Sequence, residues 1–358
     1  MATQRKTNFE ALRCICAVMI VAGHITGETD IFRGGVAHRL FLALMSSGAR
    51  IAVSTFIMIG AWFLVDSHFK FERIVRIWLE TAFYAVSLSL ISKFFLRLNV
   101  STSDLVKAAL PFCGHVLWFP CVYMGMLICS PFLNQIICLC AKRWLQYILL
   151  VNLFLLSFIP TIVPGNSGLF FNEFNWFLFI YIFIGYYKRY GINIVEKKVV
   201  YLSLSIGLYC FLASLWVIFS IYKNKIGYLN RMESYYIHDL ETLPAFLCSV
   251  GLFVWFKNIK IQYNRWINMC ASSTFAVYII HQVPIFYEYL WNDLFAFERF
   301  ASEKYFFAYF ILAVAMIFIV CVIVDQIRLK LEQMLLSGNY IKAIINRVDE
   351  YINTLEKN

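Results

Sequence analysis

The stretch "EALRCICAVMIVAGHITG", residues 10–27, decides what kind of chain this is. It is apolar enough to anchor a protein in a bilayer, yet Arg13 stands near one end and His24 near the other. Eleven positions is close to three turns at 3.6 residues per turn, so the two project from nearly one face, about 16 Å apart along the axis. An anchor needs neither group, and hydrocarbon penalises both. An arginine at a helix end ordinarily snorkels to the headgroups. A histidine inside the span on the same face is a functional candidate, because ionisable residues within a membrane mark sites by default.

Outward from this segment the composition agrees. Of 358 residues, 61% are hydrophobic and 15% charged, against about 25% charged in an ordinary soluble domain. The mean hydropathy of +0.71 belongs to a polytopic membrane protein. The net charge of +10 is then read through the segregation of basic residues between loops, not as a sign of nucleic acid. Most of the eleven cysteines sit in or beside apolar runs, where free cysteine acts as a small hydrophobe. Cys14 and Cys16 point to different helix faces, and no zinc spacing occurs elsewhere, so no metal site is expected.

About ten apolar runs are long enough for a ~30 Å hydrocarbon core, approximately 10–27, 39–65, 76–96, 116–138, 145–163, 170–187, 199–221, 240–257, 269–290 and 305–328. The expected fold is all-α, a polytopic membrane protein with residues 1–328 embedded and 329–358 a cytosolic amphipathic tail. Arg5 and Lys6 before an apolar run mimic a signal peptide, but Arg13 and the many later spans favour an uncleaved first helix. A cytosolic N-terminus puts Lys70/Arg73/Arg76, Lys142/Arg143, Lys188/Arg189 and Lys257/Lys260/Arg265 on the cytosolic side. It leaves fewer basic residues opposite, and none in "VPGNSGLF". Both termini are therefore expected in the cytosol.

Three constellations stand on this scaffold. Glu10, Arg13 and His24 run along the first helix. In "FKFERIVRIW", Arg73 and Arg76 form an Arg-x-x-Arg pair; residues three apart share a helix face. The pair reads either as ordinary positive-inside retention or as a bidentate clamp for one polyanion. In "STFAVYIIHQVP", His281 lies well inside the ninth run with Tyr278 on the same face, and Pro284 is expected to bend the helix. His281 alone would read as a residue bonded to a neighbouring helix. Counted from Glu10 and Met269, however, His24 and His281 lie about 21 and 18 Å into their helices, both in the outer half of the bilayer. Histidine serves as general base or nucleophile near neutrality. A reaction whose charged donor approaches from the cytosol is expected, the charged head staying at the arginines.

These residues resemble the acyltransferase 3 family. "FEALRCICAVMIVAGH" is similar to its opening Asp/Glu-x-x-Arg, apolar stretch and His. "FIMIGAWFLVDSHFKFERIVRIW" is similar to its glycine-bearing helix and Arg-x-x-Arg-Ile. "GHVLWFPCVYMGMLICSPFLN", with His115, Trp118 and Pro131, and "STFAVYIIHQVP" resemble later elements in the same order. Ile59-Gly60 replaces a common Ser-Gly, Glu72 replaces the first of two adjacent arginines, and Trp78 stands where a proline is usual.

The resemblance implies an integral-membrane O-acyltransferase, most often an acetyltransferase, that takes acetyl-CoA from the cytosol. Its acceptor would be an extracytoplasmic glycan or a lipid-linked sugar, and no bound cofactor is implied. His24 is implied as the catalytic histidine, Arg13 and Glu10 as its helix partners, His281 as the late histidine, and Arg73/Arg76, with Arg13 beside the pantetheine arm, as the acyl-CoA-binding residues. Tyr278 or Ser273 is the expected oxyanion donor, with His115 and Trp118 on the acceptor side. A multi-pass protein of the bacterial inner membrane is expected. The competing class is a transporter or flippase for a lipid-linked sugar, which also needs intramembrane polar groups, though no paired broken helices suggest inverted repeats. A structural subunit of a glycan-assembly complex is the third reading, which the buried Arg and His argue against.

Overall fold

The computed structural model describes residues 6–27, 35–114, 116–162, 171–193, 198–222, 240–301, 303–336 and 339–355. Among these every regular element is a helix. His115, the "PGNSG" loop and the connection 223–239 lie outside the described residues.

Helix α1 (Thr7–Gly27) is the axis of the molecule. It packs most extensively on α2 (Val36–Leu64), and the reason is at Gly23. A Cβ there would stand 2.2 Å from the Ala49 Cβ, so only glycine lets the two helices approach so closely. α3 (Phe71–Phe94) follows, and then the short α4 (Thr102–Ala109). The α4 start is a capping box: Ser101 Oγ accepts from the Asp104 N–H, and the Asp104 carboxylate accepts from the Ser101 N–H. The Ser101 donors hold the Asp104 carboxyl below the usual carboxylate range.

α5 is Trp118–Leu139, and α6 (Lys142–Leu153) runs on through a π-helical turn, Phe154–Phe158, to Ile162. Pro160 has no N–H for the ladder, which accounts for the widened turn before it. α7 (Glu173–Tyr190), α8 (Lys198–Tyr222) and α9 (Leu243–Asn258) complete the middle of the chain. α10 (Arg265–Ser272) and α11 (Thr274–Gln282) form one rod, and α12 (Pro284–Glu288) leaves it at 74°. The bend falls at Pro284, which opens the new helix with its fixed φ. A π-helical segment, Tyr289–Phe295, and the turn α13 (Phe297–Phe300) lead to α14 (Phe306–Leu336) and α15 (Asn339–Leu355).

Each of the ten apolar runs coincides with helix. Among the described residues six helices are long and apolar enough to cross a membrane, or seven with the bent pair taken as one span. The other three fall short for visible reasons. α7 carries Glu173, Lys188 and Arg189 within its 18 residues, α9 has 16, and the apolar helix inside α8 is Val199–Phe211. The last embedded helix also runs past residue 328, to Leu336.

Two apolar cores flank α1. One gathers Phe9, Leu12 and Cys16 with α2, α5, α7 and α9; the other gathers Val21 and Ile25 with Trp291, Phe297 and α14. The far face of α14 is bare, with Ile311, Leu312, Ile323 and Ile327 exposed. A long helix apolar on its outside as well as its inside is what a hydrocarbon solvent selects. α14 is held to α3 by buried polar groups instead. The Tyr84 hydroxyl donates to Asp325 at 2.8 Å, and Arg328 pairs with Asp325 and Glu332 and approaches Glu80 at 3.5 Å. Removing one partner of such a set leaves a buried charge uncompensated, which costs about 3–5 kcal/mol.

Candidate active site

The Gly23–Ala49 contact sets the level of the site, because it places His24 against the middle of α2. His24 Nδ1 lies 2.8 Å from His281 Nε2, so residues 257 positions apart meet in one hydrogen bond. His281 is fully buried, and its Nδ1 faces the Val277 carbonyl one turn earlier. A carbonyl only accepts, so His281 carries its proton on Nδ1 and presents a bare Nε2. His24 then donates from Nδ1 to that nitrogen, which leaves His24 Nε2 unprotonated. The backbone of α11 thus sets the tautomer of both rings. The same arrangement tolerates a proton arriving at His24 Nε2, since His24 continues to donate from Nδ1.

Aromatic rings close the sides. Tyr278 lies with its ring centroid 6.1 Å from both His24 and His281, and Trp291 meets His281 edge-on at 6.0 Å. Arg50, on α2 one residue beyond Ala49, is near enough to act electrostatically on His24. The sequence reading passed over Arg50, although an arginine in mid-span carries the same penalty that drew attention to Arg13.

Ala17 and Ile20 stand on the α1 face that also bears Arg13 and His24. They line a cavity of about 20 Å³ with Val53, Phe56, Phe119 and Phe275. That is room for little more than one water. At the Arg13 end of the same face, Arg13 and Arg73 both lie within electrostatic reach of the Tyr123 phenol on α5. Gly60 makes room there: a Cβ on it would meet the Tyr123 oxygen at 2.9 Å. Two of the sequence-predicted arginines, from α1 and α3, thus both act on the Tyr123 phenol near the end of the helix face that leads to His24.

The remaining predicted residues sit as follows. Glu10 is buried and pairs with Arg13 at 3.5 Å. The Arg73 guanidinium donates to Ser67 Oγ at 3.1 Å. Arg76 pairs with Glu72 at 2.6 Å and with Glu332 of α14, so it joins two helices. Ser273 is eight residues, about 12 Å, before His281, and its hydroxyl accepts from Gln326 at 2.8 Å. It is not brought to the histidine pair. Trp118 is 40% exposed and packs edge-on against Phe119; Phe119, not Trp118, touches Tyr278. His115 lies outside the described residues. Among the described residues no cluster of three His, Cys, Asp or Glu stands in position to hold a metal.

A family model described as an acyltransferase domain matches residues 6–325. No curated protein and no solved structure matches the chain. The matched region contains the histidine pair, both arginine positions and every helix that forms the cavity between them.

Proposed function

We propose, starting from the fact that this chain belongs to the acyltransferase 3 family, that it moves an acyl group from cytosolic acyl-CoA to a hydroxyl of an extracytoplasmic or lipid-linked glycan. Acetyl is the group we assign, because the cavity below His24 is small and apolar. The observation that carries the reading is the tautomer relay from the Val277 carbonyl through His281 to His24. It leaves a basic nitrogen at the far end of a helix face whose near end holds Arg13 and Arg73.

In direct transfer, His24 Nε2 takes the acceptor hydroxyl proton as that oxygen attacks the thioester carbonyl carbon. The carbon–sulfur bond breaks, and the CoA sulfur takes the proton back from Nε2. In a relay, Nε2 itself attacks the carbonyl, the CoA sulfur leaves, and the Nδ1 proton passes to His281 Nε2. The acceptor oxygen then attacks the acyl carbon and the carbon–nitrogen bond breaks. The His24 ring takes its Nδ1 proton back from His281, and the acceptor hydroxyl proton goes to the CoA thiolate. Both routes give ester and CoA thiol, and both start from a neutral, correctly turned His281. The donor arm would follow the 13–17–20–24 face, with Phe56, Phe119 and Phe275 swinging aside. CoA phosphates would meet Arg73 and Arg76, Tyr278 would face the oxyanion, and His115 and Trp118 would stand towards the acceptor. Ser273 is too far along α11 for that role unless the rod shifts.

The test is release of CoA thiol from acetyl-CoA by the purified protein in lipid, with incorporation of labelled acetyl into a glycan acceptor. Transfer is expected to require both substrates. A protein that moves lipid-linked sugar across a vesicle and never consumes acetyl-CoA would belong to the transporter class, which nothing in the comparisons favours.

The reading also takes ten crossings with both termini cytosolic, in a bacterial inner membrane, with residues 329–358 on the cytosolic surface. Reporter fusions at Lys142/Arg143 and Lys188/Arg189 are expected to report the cytosol, and a fusion within 164–168 the opposite side. A fusion showing the Arg73/Arg76 loop outside would end the cytosolic-donor scheme.

A further inference from the structure

A cleft of about 830 Å³ separates α3 from α14, and its inner wall is His281. Tyr84, Ser87 and Leu88 form one side, and Met316, Val320 and Val324 the other. From Tyr309 to Val324 it follows α14 for fifteen residues, about 22 Å, of a hydrocarbon core about 30 Å thick. The rim faces the surroundings of the helix bundle: Ile91, Leu294, Val320 and Val324 are all more than 40% exposed. The volume is within the ordinary range of ligand sites, about 300–1,000 Å³.

Most polar groups on its walls are already committed. Tyr84 donates to Asp325, Tyr309 donates to the Phe295 carbonyl, and the His281 nitrogens face Val277 and His24. Apart from the Ser87 hydroxyl, the cleft therefore offers apolar surface. The Tyr84–Asp325–Arg328 network ties α3 to α14 at one end. A chain lying there extends toward the Tyr309 end. Since α1 and α14 run in opposite directions and the pair lies near the end of α1, that is the side on which His24 stands. A second groove, about 470 Å³, flanks the opposite side of α14 between Phe41, Met45 and Ile319. It is equally apolar and touches neither histidine, so it represents an ordinary lipid-facing groove.

We propose that the cleft between α3 and α14 binds the hydrocarbon chain of a lipid-linked sugar and so delivers its head group to the His24–His281 pair from within the bilayer. The proposal rests on the acyl-transfer reading and narrows its acceptor to the lipid-anchored form. Binding to the membrane already concentrates such a substrate, and the cleft orients it, which converts binding of the unreactive chain into positioning of the reacting hydroxyl.

The test uses the full-length protein in lipid nanodiscs, with a polyprenyl-diphosphate-linked sugar bearing a diazirine in its chain. Photolabelling is expected within 83–91 of α3 or 316–324 of α14. Val320→Trp fills the cleft and should reduce labelling at least fivefold. Ile319→Trp, one residue along and in the other groove, should leave it unchanged. Ser87→Phe repeats the test from the α3 wall should Val320→Trp fail to accumulate. A phosphatidylglycerol with the same diazirine chain should label weakly and compete poorly. Equal labelling by the phospholipid, or full labelling of both cleft-filling variants, would overturn the site. Labelling needs no acyl donor, so a protein that is labelled in the cleft but releases no CoA would retain the site and lose the transferase reading instead.

Discussion

His24→Ala is expected to abolish acyl transfer while the protein still accumulates in the membrane. A positioned general base contributes about 10²–10⁴ in rate, and a nucleophile in a covalent relay contributes the whole pathway. His24 is only partly buried and its loss removes one hydrogen bond, so the bundle has no comparable reason to unfold. The His281 variants make the result diagnostic. His281→Ala strands the His24 Nδ1–H without an acceptor and frees the ring to turn. Losing the charge-assisted hydrogen bond that turns the ring and steadies its developing imidazolium costs about 1.5–3 kcal/mol, which corresponds to roughly a 10- to 150-fold fall in kcat. Donor KM should hardly move, because His281 acts on His24, which stands about 16 Å along α1 from Arg13. His281→Gln, whose amide oxygen can accept from Nδ1, should recover part of the loss. Full activity in a well-expressed His24→Ala protein would remove His24 from the chemistry. Equal activities in the alanine and glutamine variants of His281 would remove the tautomer argument.

The hydrogen-bonded histidine pair was only half legible in the sequence. Helical arithmetic placed His24 and His281 at similar depths from their own helix starts, and the two side chains do meet. What arithmetic does not supply is azimuth, namely which way each helix is turned in the bundle. Gly23 against Ala49 settles it for α1, and the signal is weak because a glycine inside an apolar run has many explanations. The Val277 carbonyl carries no sequence signal at all, since every residue has one. Arg50 was readable by the rule that singles out Arg13 and His24, since it stands in the middle of an apolar helix.

The fold shows the same division. Hydropathy located ten helical runs, and Pro284 announced the 74° bend. Hydropathy does not report which long-range partners a charge will find. Glu332 lies 256 residues beyond Arg76, and no local pattern joins them. Ser273 illustrates the converse. It shares a short motif with His281, yet it sits about 12 Å away along the rod and is held by Gln326 of α14.

The partners of Arg76 sharpen the last prediction. If Arg73 and Arg76 are only topological charges, lysine preserves the charge and should replace either without effect on the donor. If they grip phosphates, lysine loses the planar fork, and part of a charge-assisted hydrogen bond of about 1.5–3 kcal/mol is lost, giving about a tenfold or greater rise in donor KM. The two sites should then differ in a second property. Arg73 holds only the Ser67 hydroxyl among the bonds described above, whereas Arg76 bridges Glu72 of α3 to Glu332 of α14. Arg73→Lys should therefore change donor KM alone. Arg76→Lys should change donor KM and also lower thermal stability, because two carboxylates lose a bidentate partner and Glu332 is buried. Acceptor KM should stay constant in both if, as proposed, the acceptor reaches His24 from the other end of α1. Donor and acceptor titrations of the three proteins in one membrane preparation, with melting curves alongside, decide it. An unchanged donor KM in both variants, with only Arg76→Lys melting early, would reduce the pair to a topological charge and a helix tie. The phosphate contacts would then have to be sought elsewhere, first where Lys6, Lys257 and Lys260 line a polar pocket of about 390 Å³ beside the start of α1.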